Sequence, residues 1–388
     1  MRIALDAMGG DHAPYEVVWG GVEAAATTTD EIFLVGNEPE IRAALTKRHS
    51  KVRPVPDLQT LFASGRLSII HTEESIAMDD APAAAVRRKK NCSINICMRL
   101  VKEGKADAAV SAGNSGAMAA SALFCLGRIR GVTRPAIATV LPTSIPGRPV
   151  LLLDAGANTD CHHEWLRQFA VMGEVYSRFV LGCEKPRVGL MSIGTEDCKG
   201  NEMTKRAFQL LRHYTPDIAF NGNVEGHDVF GGKIDVIVCD GFVGNVLLKT
   251  AESAAHAIAG WLKSTIKVNL WYKLAALMLL PALKKFKHQM NPDIYGGAPL
   301  LGVPGAVIIT HGSSNYEAIA FACRAGSHAA ANNVSSEIAD RINALPEAPL
   351  DEELESATHR TTTEKVDAPP ATVQVPELCK VEIPNENR

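Results

Sequence analysis

The chain has 388 residues, of which 46% are hydrophobic and 21% are charged, and its formal net charge is −3. These proportions are typical of a globular enzyme with a substantial core. Residues 346–388 hold ten acidic and four basic residues, a net charge of −6, which leaves +3 for residues 1–345. So weak a positive charge is compatible with anionic ligands but does not indicate nucleic-acid binding.

Short apolar runs that end in small or polar residues recur along the chain. In order they are RIALDAMGG, EIFLVGN, LSIIHTEE, DAAVSAGNSG, PVLLLDAGAN, RVGLMSIGTE, IAFNGNVEG, IDVIVCDGFVGN and GAVIITHGSS. The runs are continuous rather than alternating, as in strands buried on both faces of a parallel sheet. Helical stretches lie between them at 14–26, 82–103, 115–127, 161–181 and 201–213. This alternation predicts an α/β fold of three layers, in which helices cover both faces of a mainly parallel sheet.

We expect one folded domain at 1–345 and a disordered, acidic, proline-rich tail at 346–388. The tail holds six prolines and few large apolar residues, so it cannot bury enough surface to offset the entropy lost on ordering. No apolar run follows a basic start at the N-terminus, so no secretory signal is visible and a cytoplasmic protein is expected.

Polar residues follow the strands directly, at the carboxyl ends where open parallel sheets bind ligands. Gly, Asn and Asp are also ordinary turn residues, but their clustering in so many loops favours a functional site. We therefore expect one cleft to collect Asp6, Gly113, Asn114, Asp154, Glu196, Glu225, Asp240 and His311.

The stretch SAGNSGAMAA gives the sharpest local signal. Gly113 and Gly116 flank Asn114 and Ser115 just before an Ala-rich helix. The glycines permit a turn whose backbone N–H groups face one point, and the helix N-terminus adds about half a positive charge. The pattern predicts a phosphate site, with helix capping by Ser115 as the alternative.

Two further loops carry lysines near predicted helix starts. EDCKGNE places Lys199 and Asn201 at the head of one helix, and DGFVGNVLLKT places Lys249 one helical turn beyond Asn245. Lys249 can neutralise a phosphate or a developing oxyanion, and a solvated surface lysine is the alternative. Neither a GxGxxG nor a GxxxxGK[ST] motif occurs, which weakens the case for a nicotinamide or nucleoside-triphosphate site.

Two basic clusters have no place in this cleft. One is the run VRRKKN at 86–91, and the other comprises Arg128, Arg130 and Arg134. Each is either a solvated face or a surface that meets an acidic partner protein.

Segment 261–290 has two tryptophans, an apolar run at 274–283 and lysines on both flanks. The run is too short to span a bilayer, and Pro281 interrupts it. We expect a helical hairpin whose exposed tip bears Leu277 and Leu280. Two interpretations remain open: a buried dimer interface, or a reversible anchor in which Trp and Leu enter an anionic membrane and Lys meets its head groups.

Taken together, these loops resemble the bacterial phosphate acyltransferase family of phospholipid synthesis, the acyl-carrier-protein:phosphate acyltransferases. The resemblance is carried, in family order over residues 1–330, by IALDAMGGDHAP, GKADAAVSAGNSGA, LLDAGAN, FAVMGEVY, GNVEG, VCDGFVGNVLLKT and YGGAPLLGVPG followed by HGSS. Three positions depart from the family pattern: Ser115 stands where Thr is usual, Cys92 where Ser is usual, and His227 where Arg is common.

The resemblance implies that inorganic phosphate attacks a long-chain acyl thioester on acyl carrier protein, a strongly acidic protein. The products are acyl phosphate, for phosphatidic acid synthesis, and the free carrier thiol. The implied fold is Rossmann-like and similar to the folds of phosphotransacetylases and isopropylmalate-type dehydrogenases. In such a cleft Asp6, Gly9 and Gly10 form one wall, because glycines allow close backbone approach.

Residue type and position suggest the individual roles. Phosphate is assigned to Asn114, Ser115 and Gly116 with Lys199, and Gly113, Asn201 and Asn245 complete the binding set. Lys249 and His311 are assigned to the oxyanion or to protonation of sulfur, and Asp240 to orienting Lys249. No metal or cofactor is required, because phosphate itself is the nucleophile.

We expect a homodimer that associates peripherally with the membrane, where a glycerol-3-phosphate acyltransferase would consume the product. Three alternatives remain. A phosphotransacetylase acting on coenzyme A thioesters would have a soluble surface at 261–290. A dehydrogenase would need a nicotinamide site, and a lipid-binding scaffold would need no phosphate cradle.

Overall fold

The computed structural model describes residues 1–47, 49–52 and 57–349, and within them eleven strands form one sheet. The strands are β1 (Arg2–Asp6), β2 (Glu31–Gly36), β3 (Leu67–His71), β4 (Ala108–Ser111), β5 (Ala136–Leu141), β6 (Val150–Leu153), β7 (Arg187–Met191), β8 (Ala219–Val224), β9 (Val236–Val238), β10 (Ala298–Leu301) and β11 (Ala306–Ile309). Their order across the sheet is β3-β2-β1-β4-β11-β10-β5-β6-β9-β7-β8. The predicted tail lies outside the described residues from 350 onward.

The sheet is mainly parallel, as predicted. Its antiparallel pairings all involve the two central strands: β10 runs antiparallel to β11 and to β5, and β5 runs antiparallel to β6. Each of the nine predicted runs contains one of the other strands. Strands β5 and β10 were not predicted from the sequence.

The helices are α1 (Tyr15–Thr27), α2 (Glu38–Thr46), α3 (Leu58–Ala63), α4 (Pro82–Arg88), α5 (Ser93–Lys102), α6 (Ser115–Cys125), α7 (His163–Phe179), α8 (Glu202–His213), α9 (Gly241–Lys267), α10 (Leu270–Gln289), α11 (Tyr316–Ala331) and α12 (Val334–Asn343), with a 3-10 helix at Pro292–Tyr295. The predicted helix at 82–103 is two helices. A turn closed by a bond from the Cys92 N–H to the Lys89 carbonyl separates them, and Cys92 has extended backbone.

Helices cover both faces of the sheet, which makes three layers. In one half, α1, α2 and α11 pack on one face of β1, β2 and β4, and α4, α5 and α6 pack on the other. In the other half, α7, α8 and α12 cover one face, and the start of α9 contributes Leu247 and Leu248 to the opposite face. The buried apolar runs of the sequence lie in these cores, and their polar ends emerge from the sheet.

Helices α9 and α10 form a hairpin that is longer than the predicted segment 261–290. Between 253 and 287 every residue is exposed except Ile266, Ala276 and Leu283. The connection at 268–269 is the tip, so Leu277 and Leu280 lie within α10 and the prediction that they form the tip is wrong. No helix among the described residues is both long and apolar enough to cross a membrane.

Candidate functional site

The polar strand ends form two separate clusters. The Asp6 cluster comprises the loops after β1, β4 and β11, at 7–14, 112–114 and 310–315. The Asp154 cluster comprises the loops after β6, β7 and β9, at 154–162, 192–201 and 239–241. The register pairs Ile309 with Ala298, Leu301 with Ala136, and Ala138 with Leu153. The end of β11 is therefore level with the start of β10, and the end of β10 is level with the start of β5 and the end of β6. The carboxyl end of β6 thus lies at the opposite edge of the sheet from the Asp6 cluster.

That the two clusters share one cleft therefore stays a prediction. Six strand positions separate β4 from β7, which corresponds to roughly 29 Å across the sheet at about 4.8 Å per strand. Lys199, which follows β7, therefore belongs to a different cluster of loops from Ser115, which follows β4.

A chain of hydrogen bonds links Asp6 to the loop after β4. Asp6 is buried, and its Oδ2 accepts a bond of 2.7 Å from the Ser111 hydroxyl. The Ser111 Oγ in turn accepts a bond of 2.9 Å from the Gly113 N–H. Burial raises the pKa of Asp6, and hydrogen bonds from Ser111, Ser93 and the Met8 backbone oppose that rise. Asp6 thus fixes the orientation of the Gly113 peptide from beneath the loop.

The two predicted glycines hold the loops of the Asp6 cluster together. A Cβ on Gly9 would lie 2.5 Å from Asp6 Oδ2 and 2.7 Å from the Gly113 nitrogen. Gly10 has a φ of +109°, and a Cβ there would lie 3.0 Å from the Gly312 carbonyl oxygen. Only glycine permits this approach, so the open backbone of the first loop brings loops together.

The Asn114 side chain is fully occupied by its own fold. Its Oδ1 accepts from the Ala117 N–H at 3.0 Å and so caps α6. Its Nδ2 donates to the carbonyl oxygens of Met78 at 3.0 Å and Asp80 at 3.1 Å. Asn114 therefore positions the 78–80 loop beside α6, and its side chain has no donor left for an anion.

Ser115 and Gly116 are the exposed residues of this loop. The first N–H groups of any helix have no carbonyl partner within the helix, and in α6 they belong to these two residues. The positive end of the helix dipole lies at the same point. The geometry can therefore accept an anion through backbone N–H groups and the Ser115 hydroxyl.

His311 lies in the same cluster. It is exposed, and its Nδ1 lies 2.8 Å from the Ser313 hydroxyl oxygen. Burial raises the pKa of Asp293, and the nearby His311 opposes that rise. The Asp11 N–H donates to the Gly312 carbonyl at 2.8 Å, which ties the His311 loop to the first loop. Sequence and structure therefore agree that His311 and Ser115 belong to one group of loops.

The Asp154 cluster is organised by a buried carboxylate. Asp154 Oδ1 accepts from the N–H groups of Gly156 at 3.0 Å and Ala157 at 2.9 Å. Its Oδ2 accepts from both the backbone and the side-chain nitrogen of Asn158, each at 2.8 Å. Burial raises the pKa of Asp154, and these hydrogen bonds oppose the rise. The Asn158 carbonyl accepts from the Gly241 N–H at 2.7 Å, so the loop holds the start of α9.

The predicted contact between Asp240 and Lys249 is wrong. Asp240 caps α9, where its Oδ1 accepts from the Val243 N–H at 2.8 Å. Lys249 is exposed, and its Nζ lies 2.8 Å from Glu252 Oε2. A carboxylate that caps the first turn cannot also reach a lysine about two and a half turns later.

The remaining predicted residues also lie in or beside the Asp154 cluster. Asn201 caps α8 by accepting from the Thr204 N–H at 2.9 Å. Lys199 and Asn245 are exposed, and the Asn245 side chain lies beside Gly156. Among the described residues no group of three or more His, Cys, Asp or Glu side chains is placed to hold a metal ion.

Ser111 and Asn158 build the two clusters but were not predicted from the sequence. Ser111 is the last residue of β4, a strand in which every residue is buried, so its hydroxyl is hidden within an apolar run. Asn158 closes the motif LLDAGAN, so the motif itself carried the signal. Both act through hydrogen bonds to backbone, which spacing alone does not reveal.

Three comparisons place the chain among known proteins. A family model described as fatty acid synthesis protein matches residues 1–337. A protein from Nostoc punctiforme named phosphate acyltransferase is 49% identical over 338 residues, covering 87% of this chain and 95% of that protein. One of the same name from Halothermothrix orenii is 48% identical over 344 residues, covering 88% and 99%.

Solved structures are similar in fold. The EutD phosphotransacetylase from Staphylococcus aureus superposes with a TM-score of 0.55 at 16% identity, covering 85% of this chain and 94% of that one. A phosphotransacetylase from Streptococcus pyogenes gives a TM-score of 0.54 at 16% identity, covering 86% and 94%. At these identities the likeness concerns the fold alone.

Proposed function

The chain belongs to the phosphate acyltransferase family of enzymes, and from this premise we propose that it transfers a long-chain acyl group from acyl carrier protein to inorganic phosphate. The observation that carries the proposal is the agreement with relatives of that name over nearly their whole length. The Asp6 cluster supports it, because its loops present an anion-binding helix terminus beside a histidine.

In this proposal phosphate binds at the start of α6. The N–H groups of Ser115 and Gly116 and the Ser115 hydroxyl donate to its oxygens, and the helix dipole favours its charge. Asp6, through Ser111, keeps the Gly113 peptide in place, and Asn114 holds the helix terminus. Holding phosphate against the thioester carbonyl is worth several kcal/mol, roughly seven or more at best.

The chemical step forms a bond between a phosphate oxygen and the thioester carbon and breaks the carbon–sulfur bond. The carbonyl oxygen carries negative charge in between, and one fixed donor to such an oxyanion is typically worth about 3 kcal/mol. His311 is the exposed ring in the Asp6 cluster that can donate to this oxygen or protonate the departing sulfur. The thiolate leaves readily, because its thiol has a reference pKa of about 8.5.

The hairpin of α9 and α10 supplies the contacts that an amphipathic product requires. We propose that the tip, with Val268, Leu270 and Trp271, enters an anionic membrane surface. The long arms expose apolar side chains such as Trp261 and Met278, and two helices alone cannot bury them. Two copies of the chain would bury these faces in a four-helix arrangement and make the homodimer.

The dimer part of this proposal has its own test. Leu277→Glu with Leu280→Glu places two charges on the exposed arm and is expected to give a monomer in sedimentation velocity. Thr250→Glu with Lys273→Glu is the control, because these exposed positions of the hairpin are already polar. A dimer of unchanged mass in the first variant contradicts the proposed packing.

The central experiment incubates the full chain with palmitoyl-acyl carrier protein and phosphate and follows release of the carrier thiol. Release that depends on phosphate and yields palmitoyl phosphate supports the proposal. Palmitoyl-coenzyme A in a parallel reaction tests the phosphotransacetylase alternative. A strong preference for the coenzyme A thioester overturns the carrier-protein assignment.

A further inference from the structure

An exposed basic and aromatic surface lies along α4 and α6, two helices that begin at the Asp6 cluster and run away from it. It is built by the ends of α4 and α6, the turn after α4 and the outer side of α5. We call it the Phe124 surface, and its residues, all exposed, are Arg87, Arg88, Lys90, Arg99, Leu123 and Phe124. Neither the phosphate site nor the hairpin uses any of them.

The centre of this surface is an arginine stacked on an aromatic ring. The Arg87 guanidinium lies 4.7 Å from the centroid of the Phe124 ring. The Phe124 side chain is nevertheless 51% exposed, and Leu123 beside it is 38% exposed. A rigid arginine on an aromatic anchor is a typical centre of a protein–protein contact.

The surrounding charge is positive. Arg88 is 73% exposed and lies 3.8 Å from Asp80. Arg99 donates to the Lys90 carbonyl at 3.0 Å, and Lys90 itself is exposed. Lys89 does not belong to the surface, because its Nζ is held by Asp80 at 2.7 Å. The structure therefore divides the basic run 86–91 into one structural lysine and an outward-facing group.

The Phe124 surface is continuous with the start of α6. Pro82, the first residue of α4, lies 2.8 Å from the Cβ position of Gly116. Ser115 and Phe124 are nine residues apart on one helix, which corresponds to roughly 14 Å along its axis at about 1.5 Å per residue. A partner seated on this surface and carrying its acyl group on a flexible arm can reach the phosphate site.

We propose that the Phe124 surface is where the acidic carrier protein docks while its tethered thioester enters the Asp6 cluster. This inference rests on the proposed function. A helical surface rich in Asp and Glu fits the charges, and its apolar side chains fit Phe124 and Leu123. A membrane fits less well, because a charged guanidinium lies against this ring, whereas the hairpin tip presents apolar side chains.

The other basic cluster gives a matched control. Arg134 lies 5.0 Å from the Trp165 ring centroid, so it repeats the arginine–aromatic pair. It precedes β5, and the adjacent Pro135 carbonyl accepts from Asn158 of the Asp154 cluster. Arg134 is therefore beside the Asp154 cluster, whereas Arg87 and Phe124 lie on helices that begin at the Asp6 cluster, so the two clusters make opposite predictions.

The experiment compares Arg87→Gln/Arg88→Gln with Arg128→Gln/Arg134→Gln in the full chain. With palmitoyl-acyl carrier protein, the first variant is expected to raise KM about tenfold and to leave kcat unchanged at saturation, because rim charges act mainly on association. Its kcat/KM should also fall less steeply with added salt. Arg87→Lys/Arg88→Lys should recover most of the affinity, and the KM for phosphate should not change in any variant.

Each outcome decides the matter. A normal KM in Arg87→Gln/Arg88→Gln, or a raised KM in Arg128→Gln/Arg134→Gln alone, overturns the docking surface but leaves the proposed function standing. Loss of binding to anionic vesicles in the first variant, with its KM unchanged, assigns the surface to lipid and also overturns the proposal. No turnover of palmitoyl-acyl carrier protein by the wild-type chain overturns the proposed function and this inference with it.

Discussion

Charging the hairpin tip should release the protein from membranes without stopping its chemistry. The change is Leu270→Glu with Trp271→Glu, at the first two residues of α10. In the structure Val268, Leu270 and Trp271 are 74%, 68% and 78% exposed. Removing one large apolar side chain from water is worth about 1.5–3 kcal/mol. Three side chains at these exposures therefore supply about 3–6 kcal/mol of membrane binding.

The substitution removes two of these three contributions, about 2–4 kcal/mol, so the partition constant should fall about 30- to 900-fold. Lys263, Lys267 and Lys273 flank the tip, and each can add about 1 kcal/mol on an anionic bilayer. Binding of the wild-type chain should therefore weaken with salt and with loss of anionic lipid. Reversible association, rather than permanent insertion, is what these magnitudes support.

The assay is flotation of the full chain with anionic and zwitterionic vesicles, with turnover of palmitoyl-acyl carrier protein measured in parallel. Phe286→Glu is the matched control, because it makes the same kind of change roughly 24 Å along α10 from Leu270. The control should float as the wild-type chain does. Flotation of the tip variant at the wild-type level would refute the membrane anchor. If the same variant also sediments as a monomer, the tip belongs instead to the interface between two copies of the chain.

Three further predictions concern the Asp6 cluster. Gly9→Ala should lower the free energy of unfolding by about 1–3 kcal/mol, because the new Cβ meets the Gly113 backbone. Gly226→Ala is the control and should leave that free energy unchanged, because a Cβ there lies in open space. Equal urea midpoints for the two variants would contradict the close approach at Gly9. Ser115→Ala should raise the KM for phosphate about fivefold, the equivalent of one neutral hydrogen bond of about 1 kcal/mol, and leave the KM for the thioester unchanged. Steady-state kinetics at varied phosphate concentration measure this change. An unaltered KM for phosphate would remove the Ser115 hydroxyl from the phosphate site. Burial raises the pKa of Asp6 in the folded chain. The folded state therefore favours the protonated carboxyl, and this adds to the free energy of unfolding in full below the unfolded pKa of about 3.9. The contribution is lost as pH rises through the folded pKa. Asp6→Asn should therefore flatten the fall in unfolding free energy above about pH 4, and parallel curves from chemical denaturation of the two proteins would show that Asp6 does not titrate this way.

Much of the fold could be predicted from continuous apolar runs. Each run was long enough and apolar enough to be buried on both faces, and the structure places a strand in all nine. The missed strand β10 shows where this signal fails. Its sequence APLL contains Pro299, which usually argues against a central strand, and Gly296, Gly297 and Gly302 flank it. Yet Pro299 pairs with Ile308 in the middle of the sheet.

The site was harder to predict, because the residues that begin helices and the residues that bind ligands are the same types. Asn114, Asn201 and Asp240 all follow strands and precede helices, and each was predicted to serve the site directly. In the structure each side chain caps its helix. Capping uses the same oxygen atoms that a ligand would use, so only coordinates separate the two roles.

Each antiparallel pairing in the sheet reverses the strand direction. Whether the two clusters lie at the same edge of the sheet therefore depends on whether the number of such pairings between them is even or odd. Between β11 and β6 the chain makes three antiparallel pairings, an odd number, so the strands of the two halves end at opposite edges. With β5 in the sheet but not β10, the strand direction would reverse twice, and all polar loops would again lie at one edge. The location of the site thus depends on every short central strand. In the proposed function the phosphate site is built from the loops after β1, β4 and β11, and the Asp154 cluster holds the start of α9.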